Sequence, residues 1–150
     1  MQPRLKYHQI SPEGMKAMAG VHNYISKCGL PRILIELVYL RVSQINGCAY
    51  CIDTHCSALI EEGMPQNKIN LVSVWDEMEG LFSSREQAAL EWAEIVTYAG
   101  DTHVPDEAYD NVREEFDDKE VVDLTMAIGL MGAYNRMAVS FRTPPKSLTA

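Results

Sequence analysis

The sequence predicts a single all-α domain, on three observations. The chain has 150 residues, 47% of them hydrophobic, which is enough for one ordinary core and too few for two typical domains. Proline at a first helical position and glycine just past a last one recur in the right order along the chain. No stretch shows the two-residue alternation with turn dipeptides that a sheet requires. We therefore expect a helical bundle of about six to seven helices.

In the first half of the chain these signals delimit three helices, expected at about residues 12–28, 31–46 and 48–62. The second of them, which starts after Pro31, is apolar on nearly every face and is therefore expected to be buried at the centre. A strand over residues 33–42 is the main alternative, because a short apolar run fits either element.

In the second half, a short helix is expected from Pro65, a longer one at about residues 83–99, a short amphipathic one from Pro105, and a long one at about residues 117–141. The second of these follows a capping box formed by Ser83 and Glu86, and the last ends before Pro144 and Pro145, which cannot continue a helix. The domain core is thus expected at about residues 11–142. Residues 143–150 are expected to form a loose tail.

Charge and hydropathy exclude several classes of function. The chain carries 21 acidic and 13 basic residues, a formal net charge of -8, and such a surface repels nucleic-acid phosphates. The longest nearly uncharged run, residues 124–134, is shorter than the roughly 20 residues of a membrane span, and the N-terminus has no apolar targeting region. We expect a soluble, cytoplasmic protein without nucleic-acid or membrane partners.

The four cysteines are unevenly spread, with three of them inside nine residues: Cys48, Cys51 and Cys56. Such crowding suits redox or metal chemistry better than a disulfide scaffold. On an ideal helix Cys48, Cys51 and His55 share one stripe, whereas Cys56 is rotated by about 100° from its neighbour. The stripe therefore presents two thiols and an imidazole together.

Thiol chemistry needs a thiolate, and this segment holds three features that promote one. Cys48 lies at the predicted N-terminus of a helix, His55 lies one turn beyond Cys51, and the two cysteines have the CxxC spacing. A cysteine oxidised by a peroxide forms a sulfenic acid, which a neighbouring thiol converts to a disulfide. Glu36, a charged residue in an apolar helix, needs a partner, and as a partner of His55 it would orient the imidazole as a base for Cys51. Cys51 is then expected to be partly thiolate near neutral pH.

The complete pattern is Glu36, eleven residues, Cys48, two residues, Cys51, three residues and His55. It resembles the signature of the AhpD-like alkylhydroperoxidases of the carboxymuconolactone decarboxylase superfamily, with every spacing matched. The resemblance implies an all-α fold and a homo-oligomer, commonly a trimer or hexamer. It implies that Cys51 attacks the hydroperoxide substrate, that Cys48 resolves the sulfenic acid, and that His55 with Glu36 relays the proton.

The resemblance also implies that no bound cofactor or metal is needed and that a thiol or lipoyl-type reductant regenerates the pair. Asn135 and Arg136 in the last helix extend the likeness more loosely. One departure is clear. Some members have histidine immediately before the second cysteine, where this chain has Tyr50.

Alternatives remain for these residues. Cys48, Cys51, His55 and Cys56 are suitable zinc ligands, although Cys56 points to another side of the helix. The thiols could be buried structural cysteines, and the protein could be a non-enzymatic redox-sensing or assembly protein, or a decarboxylase as in the wider superfamily.

Without the motif, several of these residues have ordinary structural explanations. Glu36 alone would commonly pair with an arginine, with Arg41 and Arg136 as candidates. Four further residues are expected to be ordinary surface or packing residues: His22, His103, Cys28 and Cys56.

Overall fold

A computed structural model describes residues 2–149, and these contain nine α-helices, two 3-10 helices and no strand. The helices are α1 (Tyr7–Ile10), α2 (Pro12–Ile25), α3 (Arg32–Ile45), α4 (Ala49–Glu61), α5 (Gln66–Asn70), α6 (Ser84–Thr97), α7 (Ala99–Thr102), α8 (Asp106–Glu115) and α9 (Asp118–Phe141). The 3-10 helices are Val72–Glu77 and Lys146–Leu148. The all-α prediction is confirmed, and the strand alternative for residues 33–42 is wrong. The helix count exceeds the predicted six to seven because α1 and α7, single turns of four residues each, carry no start or stop signal in the sequence.

Helix α3 lies at the centre of the bundle, as its apolar composition predicts. It packs against α4, α6 and α9, and Leu37, Val38, Leu40 and Val42 are completely buried. One side of α3 contributes to an apolar cluster with α6, α8 and α9, and the other to a cluster with α4, α5 and the segment that follows α5. Burial on all sides explains why nearly every position of α3 is apolar.

The turn between α3 and α4 sets the start of α4. Gly47 has a φ of +64°, a conformation that glycine adopts without a steric penalty, and the chain then reverses. The Cys48 amide donates to the Ser43 carbonyl oxygen at 3.0 Å, and Cys48 is the N-cap of α4. The start of α4 is therefore held against the end of α3.

Both chain ends described by the structure pack on the bundle. The Arg4 amide donates to the Phe141 carbonyl oxygen at 2.9 Å, and Tyr7, which lies before the predicted core, is buried. Within the predicted tail, the 3-10 helix Lys146–Leu148 contacts α4, and the Ser147 amide donates to the Asp53 carboxylate at 3.0 Å. Ala150, the last residue of that predicted tail, is outside the described residues.

Two helices, α6 and α9, begin with a capping box. The predicted capping box at Ser83 is present, with the Glu86 amide donating to Ser83 Oγ and the Ser83 amide donating to the Glu86 carboxylate. A second capping box joins Asp117 and Glu120 at the start of α9. Among residues 2–149, no helix combines the length and the apolar character needed to cross a bilayer.

Candidate active site

The four predicted site residues lie together at the junction of α3 and α4. Glu36 comes from α3, Cys48 is the N-cap of α4, and Cys51 and His55 follow on α4. All four are buried, with exposed fractions of 9% for Glu36, 1% for Cys48, 4% for Cys51 and 7% for His55. The packing of α4 against α3 is what brings Glu36 to the thiol helix.

Glu36 pairs with His55, as the sequence predicts. Oε2 of Glu36 lies 2.7 Å from Nδ1 of His55. The arginine alternatives are wrong, because Arg41 donates to Glu94 at 2.7 Å and Arg136 donates to the Gly132 carbonyl oxygen. With Nδ1–H donating to the carboxylate, the tautomer of His55 leaves Nε2 available for proton transfer.

The two thiols are in contact. The Sγ atoms of Cys48 and Cys51 lie 2.6 Å apart, and the Cys51 amide donates to Cys48 Sγ at 3.4 Å. The hydrogen bond with Cys51 lowers the pKa of Cys48 to about 7, against the opposing effect of burial. The same hydrogen bond, together with burial, raises the pKa of Cys51.

The thiolate of the pair is therefore favoured at Cys48. The sulfur at the N-cap of α4 accepts from the Cys51 amide and lies at the favourable end of the helix dipole. Partial ionisation of Cys51 near neutral pH stays a prediction.

A polar cluster from α3 and α9 lies beneath the thiols. Asn135 is 1% exposed and Ser43 is fully buried, and the Asn135 amide donates to Ser43 Oγ at 3.0 Å. The Asn46 amide in turn donates to Oδ1 of Asn135 at 3.0 Å. The contact between the sulfurs and burial have the largest effects on the pKa of each thiol. Hydrogen bonding by Asn135 has a smaller effect, which lowers the pKa of both thiols, and Ser43 lowers that of Cys51.

Cys51 and His55 open into one cavity, which we call the Cys51 cavity. Its volume is about 260 Å³. It is lined mainly by aromatic and apolar side chains, and the residues that define it are Tyr7, His8, His22, Tyr50, Cys51, Thr54, His55, Met131, Tyr134 and Ala138. No lysine or arginine lines it.

Cys48 opens into a different cavity, which we call the Cys48 cavity. Its volume is about 550 Å³. It is lined by Arg4, Gly47, Cys48, Ala49, Tyr50, Ala138, Val139, Arg142, Thr143, Pro144, Pro145 and Leu148. Tyr50 and Ala138 line both cavities and thus form the wall between them. The two sulfurs in contact are therefore reached from two sides.

Tyr50, which precedes Cys51, also contacts the C-terminal segment. Nζ of Lys146 lies 5.7 Å from the centroid of its ring. The phenol thus helps to hold the 3-10 helix Lys146–Leu148 against α4, in addition to separating the two cavities.

Cys56 does not join this site. It is half-buried against the apolar cluster on the other side of α4, and burial raises its pKa. Among residues 2–149, no three His, Cys, Asp or Glu side chains are grouped in a way that could hold a metal ion. The zinc alternative therefore has no ligand set in this part of the chain.

Four residues of the site lie outside the sequence-predicted set: Asn135, Ser43, Tyr7 and His22. Asn135 had a signal, since a buried asparagine in an apolar helix needs hydrogen-bond partners. His22 is exposed on α2, but it lines the Cys51 cavity and its ring stacks 6.3 Å from that of Tyr39. Tyr7 precedes the predicted core, and no local pattern marks it as a cavity residue.

Comparison with known proteins identifies the family. The model of the carboxymuconolactone decarboxylase family matches residues 12–94, which include all four predicted site residues. The chain belongs to this family.

Two proteins resemble the chain over most of its length. The uncharacterized protein YdfG of Bacillus subtilis is 39% identical over 140 residues, 93% of this chain and 95% of YdfG. A crystal structure of a protein of unknown function from Agrobacterium tumefaciens superposes with a TM-score of 0.92 at 40% identity, covering 96% of this chain and 98% of that one.

A shorter match links the chain to the AhpD branch. The alkyl hydroperoxide reductase AhpD of Corynebacterium aurimucosum is 40% identical over 47 residues, 31% of this chain and 27% of AhpD. Together with the fold, this match places the chain among the AhpD-like members of the carboxymuconolactone decarboxylase superfamily.

Proposed function

We propose that this protein is a thiol-dependent hydroperoxidase that reduces a small organic hydroperoxide with the Cys48–Cys51 pair. The observation that carries the proposal is the Sγ–Sγ contact of 2.6 Å beside the His55–Glu36 pair, at the end of a mainly apolar cavity. Two thiols this close can form a disulfide with little movement, and the adjacent imidazole can transfer protons.

The first step takes place in the Cys51 cavity. The proton of Cys51 moves along the hydrogen bond to Cys48, and the Cys51 thiolate attacks the terminal oxygen of the hydroperoxide. An S–O bond forms and the O–O bond breaks, so that the peroxide is reduced and Cys51 becomes a sulfenic acid. His55 passes a proton from solvent to the departing alkoxide, which leaves as an alcohol.

The second step closes the disulfide. Cys48 attacks the sulfenic sulfur of Cys51, and its proton passes through His55 to the departing hydroxide, which leaves as water. Glu36 keeps His55 oriented in both steps, because its carboxylate accepts the Nδ1–H. The sum converts one hydroperoxide and two thiols into one alcohol, one water and one disulfide.

The experiment that tests the proposal is a thiol count before and after one equivalent of cumene hydroperoxide. We expect the loss of two free thiols per chain. The matched control is the Cys28→Ser/Cys56→Ala variant, in which only the pair remains and the same loss of two is expected. An unchanged count in both proteins would exclude peroxide chemistry at this site.

Serine variants test the roles of the two cysteines. We expect Cys51→Ser to abolish peroxide consumption, because the thiol beside His55 is missing. We expect Cys48→Ser to react once and stop at a sulfenic acid, which a dimedone reagent traps on Cys51. Trapping on Cys48 in Cys51→Ser, with none in Cys48→Ser, would reverse the roles, consistent with a thiolate favoured at Cys48.

Turnover distinguishes an enzyme from a redox sensor of the same fold. An enzyme consumes many equivalents of peroxide in the presence of a thiol or lipoyl-type reductant. Consumption that stops after one equivalent with every reductant would assign a redox-sensing role to the pair.

A further inference from the structure

The Cys48 cavity has a charge that contrasts with the rest of the molecule. Arg4 and Arg142 line it, and none of its lining residues is acidic, although the whole chain has a net charge of -8. Among residues 2–149, the Arg142 side chain has no hydrogen bond or ion pair, and Arg4 donates to the Ser140 carbonyl oxygen at 3.1 Å. Neither guanidinium is therefore neutralised by a carboxylate of the described chain.

The position of Arg142 follows from the end of α9. Arg142 has a φ of +56°, a left-handed conformation that is uncommon for arginine. The turn is closed by the Arg142 amide, which donates to the Val139 carbonyl oxygen, and by the Thr143 amide, which donates to the Ala138 carbonyl oxygen. This turn directs the chain across the mouth of the Cys48 cavity, with Pro144 and Pro145 as the next part of its wall.

We propose that the Cys48 cavity binds the reductant, a low-molecular-weight thiol that carries a carboxylate, and that this thiol attacks Sγ of Cys48 in the oxidised pair. The guanidinium groups of Arg4 and Arg142 would bind the carboxylate. The inference rests on the proposed function only in requiring that the pair forms a disulfide.

The reaction balances with two molecules of thiol. The first thiolate attacks Sγ of Cys48, the Cys48–Cys51 bond breaks, and its electron pair goes to Cys51, which takes a proton from His55. A mixed disulfide between the reductant and Cys48 results. The second thiol attacks the reductant sulfur of that mixed disulfide and releases Cys48, so that two thiols are oxidised to one disulfide and the protein pair is reduced.

The second step suits Cys48. Cys48 is the leaving group there, and its pKa, lowered to about 7 by the hydrogen bond with Cys51, makes it a good one. In the first step Cys51 is the leaving group, and His55, one turn further along α4, supplies the proton that the departing sulfur takes up.

The Cys51 cavity is a poor entrance for the same reductant. It has about half the volume of the Cys48 cavity and no lysine or arginine in its walls. Because Tyr50 and Ala138 separate the two cavities, the peroxide and the reductant reach the pair from different sides.

The test uses the full-length protein oxidised with diamide, so that it does not depend on any reaction with peroxide. The rate of disulfide reduction is measured with 3-mercaptopropionate, neutral 2-mercaptoethanol and cationic cysteamine, each expressed per thiolate. We expect the anionic thiol to react about tenfold faster than the neutral one. We expect this advantage to disappear in Arg4→Gln/Arg142→Gln and to persist in Arg136→Gln, the control variant on the same helix.

The opposite results would overturn the inference. A protein with a net charge of -8 repels an anionic thiol unless a local site attracts it, so a slower reaction of 3-mercaptopropionate contradicts the proposed site. An advantage that survives in the double variant contradicts the role of the two arginines. Fastest reduction by neutral dihydrolipoamide, equal in all variants, would instead assign a lipoyl-type reductant.

Mass spectrometry locates the attacked sulfur. Cys51→Ser treated with 3,3′-dithiodipropionate should form a mixed disulfide on Cys48, whereas Cys48→Ser should be modified on Cys51 at least tenfold more slowly. The reverse order would place the exchange in the Cys51 cavity. If these results are obtained but the protein does not react with peroxide, the reductant site is supported and the proposed function is contradicted.

Discussion

The carboxylate of Glu36 lies 2.7 Å from Nδ1 of His55, and this contact links a buried charge to the thiol chemistry. On a Cys48→Ser background, Glu36→Gln should raise the pH of half-maximal Cys51 alkylation by about one unit, because the imidazole loses its negatively charged partner. A pH profile of iodoacetamide alkylation measures the shift. Glu94→Gln, which changes a carboxylate bound to Arg41 on another face, is the control and should leave the profile unchanged. Identical profiles for Glu36→Gln would make Glu36 a purely structural residue.

The buried amide of Asn135 supports the thiolate of the pair. In the unmodified sequence, the rate of Cys48 alkylation should be half-maximal near pH 7. It should decrease at lower pH, because the thiolate becomes protonated. Asn135→Asp should raise this midpoint by about one unit or more, since a carboxylate beneath the sulfurs disfavours a thiolate. Asn111→Asp makes the same change on α8, remote from the pair, and should have no effect. An unshifted midpoint for Asn135→Asp would limit Asn135 to packing.

At the scale of elements, α9 carries Asn135 and contributes to the walls of both cavities, so its N-terminal cap matters for the site. The Glu120 amide donates to Asp117 at 2.9 Å, and the Asp117 amide donates to Glu120 at 3.0 Å. Asp117→Ala should lower the free energy of unfolding by about 1 kcal/mol, measured by urea denaturation. Glu114→Ala, on the exposed face of α8, should change it by less than about 0.5 kcal/mol. Equal effects of the two variants would mean that the capping box does not stabilise the helix.

At the scale of the whole molecule, exposed apolar side chains on α9 favour assembly. Val122 and Met126, one turn apart, are about half exposed on this helix. Exposed apolar side chains that share a helix face favour an interface, and we expect a homo-oligomer, a trimer or hexamer by the family resemblance. Light scattering should give three or six times 16.9 kDa at micromolar concentration.

A double substitution tests which face of α9 forms the oligomer interface. Val122→Lys/Met126→Lys should reduce the mass to that of a monomer, because two charges would be buried in the interface. Val74→Lys, on an exposed position of the 3-10 helix, should leave the oligomer intact. A mass of 16.9 kDa for the unmodified chain would contradict the prediction.

The sequence by itself determined the helical class, the central position of α3 and the group of Cys48, Cys51 and His55. These features depend on short spacings: proline and glycine mark helix ends, and residues three, four and seven apart share a helix face whatever the rest of the chain does. The capping box at Ser83 was predictable for the same reason. Local geometry was sufficient in each case.

Only the tertiary structure decided how the site is completed. His55 and Glu36 are 19 residues apart, and Asn135 is 92 residues from Ser43, so that their contacts exist because α4 and α9 both pack on α3. The two separate cavities and the contact of the C-terminal segment with α4 depend on long-range contacts as well. Burial and proton sharing arise from groups that meet in space, and the spacing of residues along one helix does not specify them.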